Sequence, residues 1–164
     1  MTLTTHAIVG AAIVCLMPEH PLLGVSLAFA SHFLLDALPH WDYPLRSSCI
    51  NPGLRGRMTY DRNLLVDLLT IGGDAVIGII LTVLLFGLQK GADFTMILAG
   101  AWAGMLPDAL QFVYTRFPCQ PLTVLQRFHQ WIHTSRQMRG RPMLGIVSQC
   151  VFVGIVLVGV HPFL

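Results

Sequence analysis

Residues 31–42 read SHFLLDALPHWD, an apolar stretch that nonetheless carries His32, Asp36, His40 and Asp42. Each polar or ionised group costs free energy to withdraw from water unless it finds a partner. His32 and Asp36 are four residues apart, as are His129 and His133 in FHQWIHTS at 128–135. On a helix that spacing projects two side chains from one face, close enough to hold a single ion. Imidazole and carboxylate are the donors divalent transition metals take, so the chemistry these pairs offer is metal ligation.

Three further residues join them. His6 opens the first apolar segment, Asp74 opens a later one, and Asp108 ends an apolar helix in the same D-A-L triplet that begins at Asp36. A carboxylate at a helix C-terminus faces the unfavourable end of the helix dipole, so capping does not explain Asp36 or Asp108, whereas a bound cation would. Zinc takes three or four protein ligands, so His6, His32, Asp36, Asp74, Asp108, His129 and His133 suffice for one or two ions. Alternatives stay open residue by residue. His6 also suits a cap or an interfacial position, and Asp74 suits an N-cap. His40 and Asp42 follow Pro39 beside Trp41 and Tyr43, whose rings favour the membrane interface, and rank behind His32 and Asp36. Asp61 and Asp67 read as helix-start or surface carboxylates.

The elements that must position these residues follow from composition. Of 164 residues, 54% are hydrophobic and 11% charged, and the mean hydropathy is +0.67. Soluble domains carry about 25% charged residues, so a membrane is the expected solvent. Apolar windows at 5–17, 21–38, 74–89, 94–113 and 142–160 predict an all-α, polytopic bundle of four to five spans forming one membrane-embedded domain over 1–164. The first window is short for a span and lacks the basic region and cleavage pattern of a signal peptide, so it is expected to remain in the mature protein, tilted or partly inserted.

Thr4 or Thr5 would cap the first helix, and Pro39 would stop the second, giving a hairpin over 5–38. A polar loop follows at 40–61. A second hairpin is expected over 74–113, its first helix beginning near Asp74 after the transitional DRNLLVDLLTIGG. The hairpins share short matches, HAIVG at 6–10 with DAVIG at 74–78 and DAL at 36–38 with DAL at 108–110. Antiparallel helices would bring His6, Asp36, Asp74 and Asp108 to one membrane face. Segment 120–139, with Leu122, Leu125, Phe128 and Ile132 at helical spacing and arginines elsewhere, reads as an amphipathic interfacial helix, followed by a final span at 142–160.

Nine of the ten cationic residues are arginines, all within 46–62 or 116–141, at the same end as the candidate ligands. The positive-inside rule makes that end cytoplasmic. Cys15, Cys49, Cys119 and Cys150 are widely spaced without a C-x-x-C pair, which implies neither a zinc knuckle nor a disulfide framework. The chain holds no G-x-S-x-G, Walker A, G-x-G-x-x-G or H-E-x-x-H motif, and nothing marks a nucleic-acid partner. Membrane lipids are the expected surroundings.

Taken together, Thr5-His6, the helix end Leu34 to Pro39 followed by His40, Leu106-Pro107-Asp108, and FHQWIHTS at 128–135 resemble the YdjM-like family of bacterial and archaeal inner-membrane metal-dependent hydrolases, whose motif style is similar to that of zinc-dependent phospholipase C. The chain departs from that family in lacking a proline before Asp36 and in having three rather than four residues between its last paired histidines. The resemblance implies a divalent-metal hydrolase embedded in the membrane. Metal ions, zinc being expected, would lower the pKa of water from 15.7 to about 7 for attack on a phosphoester. Asp36, Asp108 and His133 would serve as catalytic groups. Arg55, Arg57, Arg62, Arg127 and Arg136 would suit an anionic headgroup, since guanidinium pairs bidentately with phosphate; positive-inside topology accounts for them equally. Two other classes fit the residues. An ion or proton transporter would extend its polar groups through the membrane depth, and an assembly module with a structural metal would close its coordination.

Overall fold

The computed structural model describes residues 1–47, 61–134, 138 and 140–163. Among them every regular element is helical: α1 (Leu3–Cys15), α2 (Pro21–Asp36), α3 (Arg62–Thr82) continuing as a π turn over Val83–Gly87, α4 (Phe94–Arg116), α5 (Leu122–Ile132) and α6 (Pro142–Val160).

Three helical segments are long and apolar enough to cross a membrane: Arg62–Gly87, Phe94–Arg116 and Pro142–Phe163. Large apolar side chains point outward from them, among them Leu69, Ile80, Trp102, Val151 and Val158, where lipid would replace water. α1 and α2, with 13 and 16 residues, are about 20 and 24 Å long at 1.5 Å per residue. Both fall short of a hydrocarbon core of about 30 Å.

Short as it is, α1 is the centre of the bundle. It packs against α2, α3, α4 and α6, and nearly all of its residues are buried. The reason is small side chains. A Cβ on Gly100 would lie 2.6 Å from the Gly10 carbonyl oxygen, and one on Gly104 would collide with the His6 carbonyl. Glycine at these positions lets two helix backbones touch, the packing mode on which membrane helices depend. Residues 6, 10 and 14 of α1 meet 104, 100–104 and 100 of α4, so the two helices run antiparallel. α1 is also antiparallel to α2, since Val14 faces Gly24 while His6 faces Asp36. Ala7, Ile8, Ala11, Ile97, Ala101 and Met105 form the core of this contact.

Several boundaries differ from those the sequence suggests. Thr2 caps α1, accepting from Thr5 N at 3.4 Å, because the Thr4 hydroxyl is taken up by Asp74. α3 starts at Arg62 rather than near Asp74, since Asp61 accepts hydrogen bonds from Asn63 N (2.9 Å) and Leu64 N (3.2 Å) and so satisfies the first-turn donors. DRNLLVDLLTIGG is therefore helical after its first residue, and Asp74 lies inside α3, not at its start. α5 ends at Ile132, not near 139, because His133 turns to an extended conformation (φ −60°, ψ 130°). Asp67 is buried and anchors the loop after α2 by accepting from Arg46 N, Ser47 N and the Ser47 hydroxyl. Cys15, Cys119 and Cys150 are free thiols; Cys49 lies outside the described residues.

Candidate metal centre

The last turn of α2 presents His32 and Asp36 from one face, both buried. Each oxygen of Asp36 meets its own set of nitrogens. Around Oδ2 stand the Nε2 atoms of His129 (2.9 Å), His32 (3.3 Å) and His133 (3.8 Å). Around Oδ1 stand the Met1 amino group (2.7 Å) and the Nε2 atoms of His6 (3.3 Å) and His40 (3.9 Å). Asp108, on α4, reaches the same place: its Oδ1 is 3.5 Å from His32 Nε2 and 4.0 Å from His129 Nε2.

Backbone carbonyls orient the rings. His32 Nδ1 donates to Gly104 O at 2.8 Å and His40 Nδ1 donates to Leu38 O at 2.7 Å. A carbonyl only accepts, so each Nδ1 carries the hydrogen and each neutral ring turns its Nε2 lone pair inward. This carbonyl anchoring of the outer nitrogen is the arrangement that metal-binding histidines use. The α5 exit is clamped to the α2 exit by two further backbone bonds, Thr134 N to Asp36 O (2.8 Å) and Met138 N to His40 O (2.9 Å). They hold His133 and His40 against one another, with ring centroids 5.0 Å apart.

Two convergent donor groups result: His32, Asp36, Asp108 and His129, and Asp36, His40 and His133. The first fits a metal ion by an independent measure. Bonds of about 2.0–2.1 Å to a tetrahedral ion put neighbouring ligand atoms about 3.3 Å apart. Five of the six separations among these four are 2.9, 3.3, 3.3, 3.5 and 4.0 Å, and all six lie within 4.8 Å. The third of these separates His32 Nε2 from His129 Nε2, two nitrogens whose lone pairs repel unless a proton or cation lies between them. Moreover, both ring nitrogens of His6 and the Nε2 of His40 are buried without a hydrogen bond among the described residues. Such orphaned groups cost about 1–3 kcal/mol each, a cost that ligation would remove.

Outside the helices, charge and burial set the remaining groups. The Asp42 carboxylate, 3.6 Å from His133 Nε2, raises the His133 pKa above the usual histidine value. Burial, followed by the nearby Met1 ammonium, lowers that of His40, which favours the neutral, metal-ligating form.

The seven expected ligands thus divide. His32, Asp36, Asp108, His129 and His133 belong to the two convergent groups, and His6, stacked on His32 with centroids 4.0 Å apart, faces Asp36. Asp74 stands apart from both groups and accepts from Thr4 N at 3.0 Å and from the Thr4 hydroxyl at 2.7 Å. It satisfies first-turn groups of α1, a role favoured by the positive end of that helix dipole. We expect Asp74→Ala to leave metal content unchanged while lowering stability by about 1.5–3 kcal/mol, the worth of hydrogen bonds to a charged group. Metal analysis and thermal unfolding of the same sample check both halves. Arg62 and Arg127 are exposed; Arg55, Arg57 and Arg136 lie outside the described residues. His40 was undervalued from sequence. Its signal was there, since 32, 36 and 40 continue a spacing of four.

Comparison with protein-family models, curated proteins and solved structures finds no match to the chain.

Proposed function

We propose that the protein is a membrane-embedded, divalent-metal-dependent hydrolase that acts on a phospholipid or another membrane-associated phosphoester. The observation that carries this reading is the meeting of His32, Asp36, Asp108 and His129 at ligand-to-ligand distances suited to one ion. Zinc suits this nitrogen and oxygen donor set, and when bound it would make water acidic enough to act as a nucleophile near neutral pH. Asp36 is the inner carboxylate and holds the cluster together. Asp108 has 31% of its side chain exposed, which suits it to accept a proton from the attacking water. His133, 20% exposed beside Asp42, stands at the mouth of the site, where it can pass a proton to the leaving group.

In this reading the three long helices cross the inner membrane of a prokaryote, α3 and α4 as a hairpin and α6 as the final span, with the shorter α1–α2 hairpin packed among them. The site faces the cytoplasm, because Arg46, Arg62, Arg116, Arg127 and Arg141 gather at its end of the bundle while Lys90 sits at the other. Arg127, two residues from His129, together with Arg62 and with Arg55, Arg57 and Arg136, would draw an anionic headgroup to it. The gathering of His and Asp at one end favours hydrolysis over transport, which needs polar groups along the whole path.

The test is a phosphoester hydrolysis screen on purified protein in phospholipid vesicles. Activity is expected with zinc or another divalent ion, and is expected to fall at least a hundredfold with chelator or with His129→Ala. A metal-loaded wild type that cleaves no phospholipid or soluble phosphoester would remove this reading.

A further inference from the structure

The two oxygens of Asp36 do not do the same thing. Oδ2 completes the tight group with His32, Asp108 and His129. Oδ1 faces a second set of imidazoles, and it is there that the orphaned nitrogens lie: Nε2 of His6 at 3.3 Å and Nε2 of His40 at 3.9 Å, both buried and without a hydrogen bond among the described residues. The Met1 amino group supplies one positive charge to Oδ1 at 2.7 Å but leaves those two nitrogens unmet.

We infer that Asp36 bridges two divalent cations, the second held by Asp36, His40 and His133. The inference rests on reading the centre as a metal site, though not on any hydrolytic activity. His40 is committed to this role by its Nδ1 bond to Leu38 O, which aims Nε2 inward. His133 is brought alongside by the backbone bonds that tie 134 to 36 and 138 to 40. Asp42, with Oδ2 3.6 Å from His133 Nε2, is placed to add a carboxylate oxygen, and His6 lies on the same Asp36 oxygen as His40.

The second site is the weaker of the two. His40 Nε2 is 3.9 Å from Asp36 Oδ1, His133 Nε2 is 3.8 Å from Asp36 Oδ2, and Asp42 Oδ2 is 3.6 Å from His133 Nε2, so the donors must close by a few tenths of an ångström, with His133 turning from Oδ2 toward Oδ1, to reach the ligand spacing of about 3.3 Å. An ion at Oδ1 also displaces the Met1 ammonium. A bridging role engages both Asp36 oxygens and removes Asp36 as a proton acceptor, leaving that task to Asp108, and ligation through Nε2 likewise replaces the proton-donor role of His133 by that of a ligand.

Manganese titration of the detergent-solubilised full chain, followed by electron paramagnetic resonance, tests this. Wild type is expected to take up two Mn2+ per chain in two phases, the second at least tenfold weaker, with a spin-coupled spectrum at saturation. His40→Ala is expected to stop at one ion with an uncoupled spectrum. His133→Gln, at a partly exposed position that tolerates change better, is expected to weaken only the second phase. Saturation of the wild type at one ion, or two coupled ions in His40→Ala, would overturn the bridge while sparing a single-metal centre. No bound manganese, zinc or other divalent ion in the wild type would overturn both.

Discussion

Asp36→Ala is expected to abolish divalent-metal uptake and to lower the unfolding temperature more than any other single change in the site. Asp36 is the one residue common to both donor groups, and its carboxylate lies within 4 Å of the Met1 amino group and of five imidazoles. Removing it leaves a buried ammonium without its counter-charge. Breaking a buried ion pair by deleting one partner costs about 3–5 kcal/mol. Asp36→Asn separates the two effects. The amide fills the same space and still accepts hydrogen bonds, so it keeps more of the stability yet loses the charge that attracts a cation. Metal content should fall to background in both variants, and thermal unfolding should be milder in the asparagine variant. Retention of wild-type metal content by Asp36→Ala would show that the ion, if any, is held elsewhere.

The second large effect is expected at a residue that offers no ligand atom of its own. In Gly104→Val the new Cβ collides with the His6 carbonyl, a backbone group that cannot swing aside. α1 must step away from α4, and with it His6 leaves Asp36 while Asp108 is drawn off with α4. The Gly104 carbonyl that orients His32 moves as well. Overpacking of this kind costs about 1–3 kcal/mol, occasionally more. Disturbing the group that orients a ligand lowers metal affinity by about 10–100-fold. Gly154→Val on α6 is the matched control, because a Cβ there meets nothing within 4 Å, and its effect should stay within about 0.5 kcal/mol. Equal behaviour of the two variants in unfolding and metal titration would contradict the close α1–α4 contact.

Much of the site was legible because it obeys local rules. His32 with Asp36 follows helical spacing, and Asp36 does end α2, whereas Asp108, expected at a helix end, lies two turns inside α4, which continues to Arg116. His129 and His133 also keep that spacing, although the second stands at the C-cap, where the chain has already left the helix. What escaped depends on contacts distant in sequence. Pro39 ends the pattern, so His40 read as an interfacial residue. It is held inward by the backbone bonds from Thr134 N to Asp36 O and from Met138 N to His40 O, which no local pattern announces. Asp74 was misplaced because DRNLLVDLLTIGG, which ends in Gly72 and Gly73, read as a transition into the helix rather than as part of it. Glycine inside a helix costs only about 1 kcal/mol relative to alanine, and in α3 the segment stays helical through both.

The fold divides in the same way. The apolar windows mark α3, α4 and α6 as membrane-length helices, and composition alone suffices for that. The place of α1 was harder to read, since a thirteen-residue, largely apolar helix suits an interfacial position as well as a buried one. Its run of Ala7, Gly10, Ala11 and Ala12 is the feature that decides, because small side chains allow the close backbone contact with α4.

X-ray absorption at the metal edge of the protein as purified is the most direct measurement of the central claim. The account predicts stoichiometric divalent metal with a first shell of nitrogen and oxygen at about 2.0–2.1 Å, and with the outer-shell scattering of at least two imidazole rings. Protein free of stoichiometric metal, or a shell containing sulfur, would contradict it.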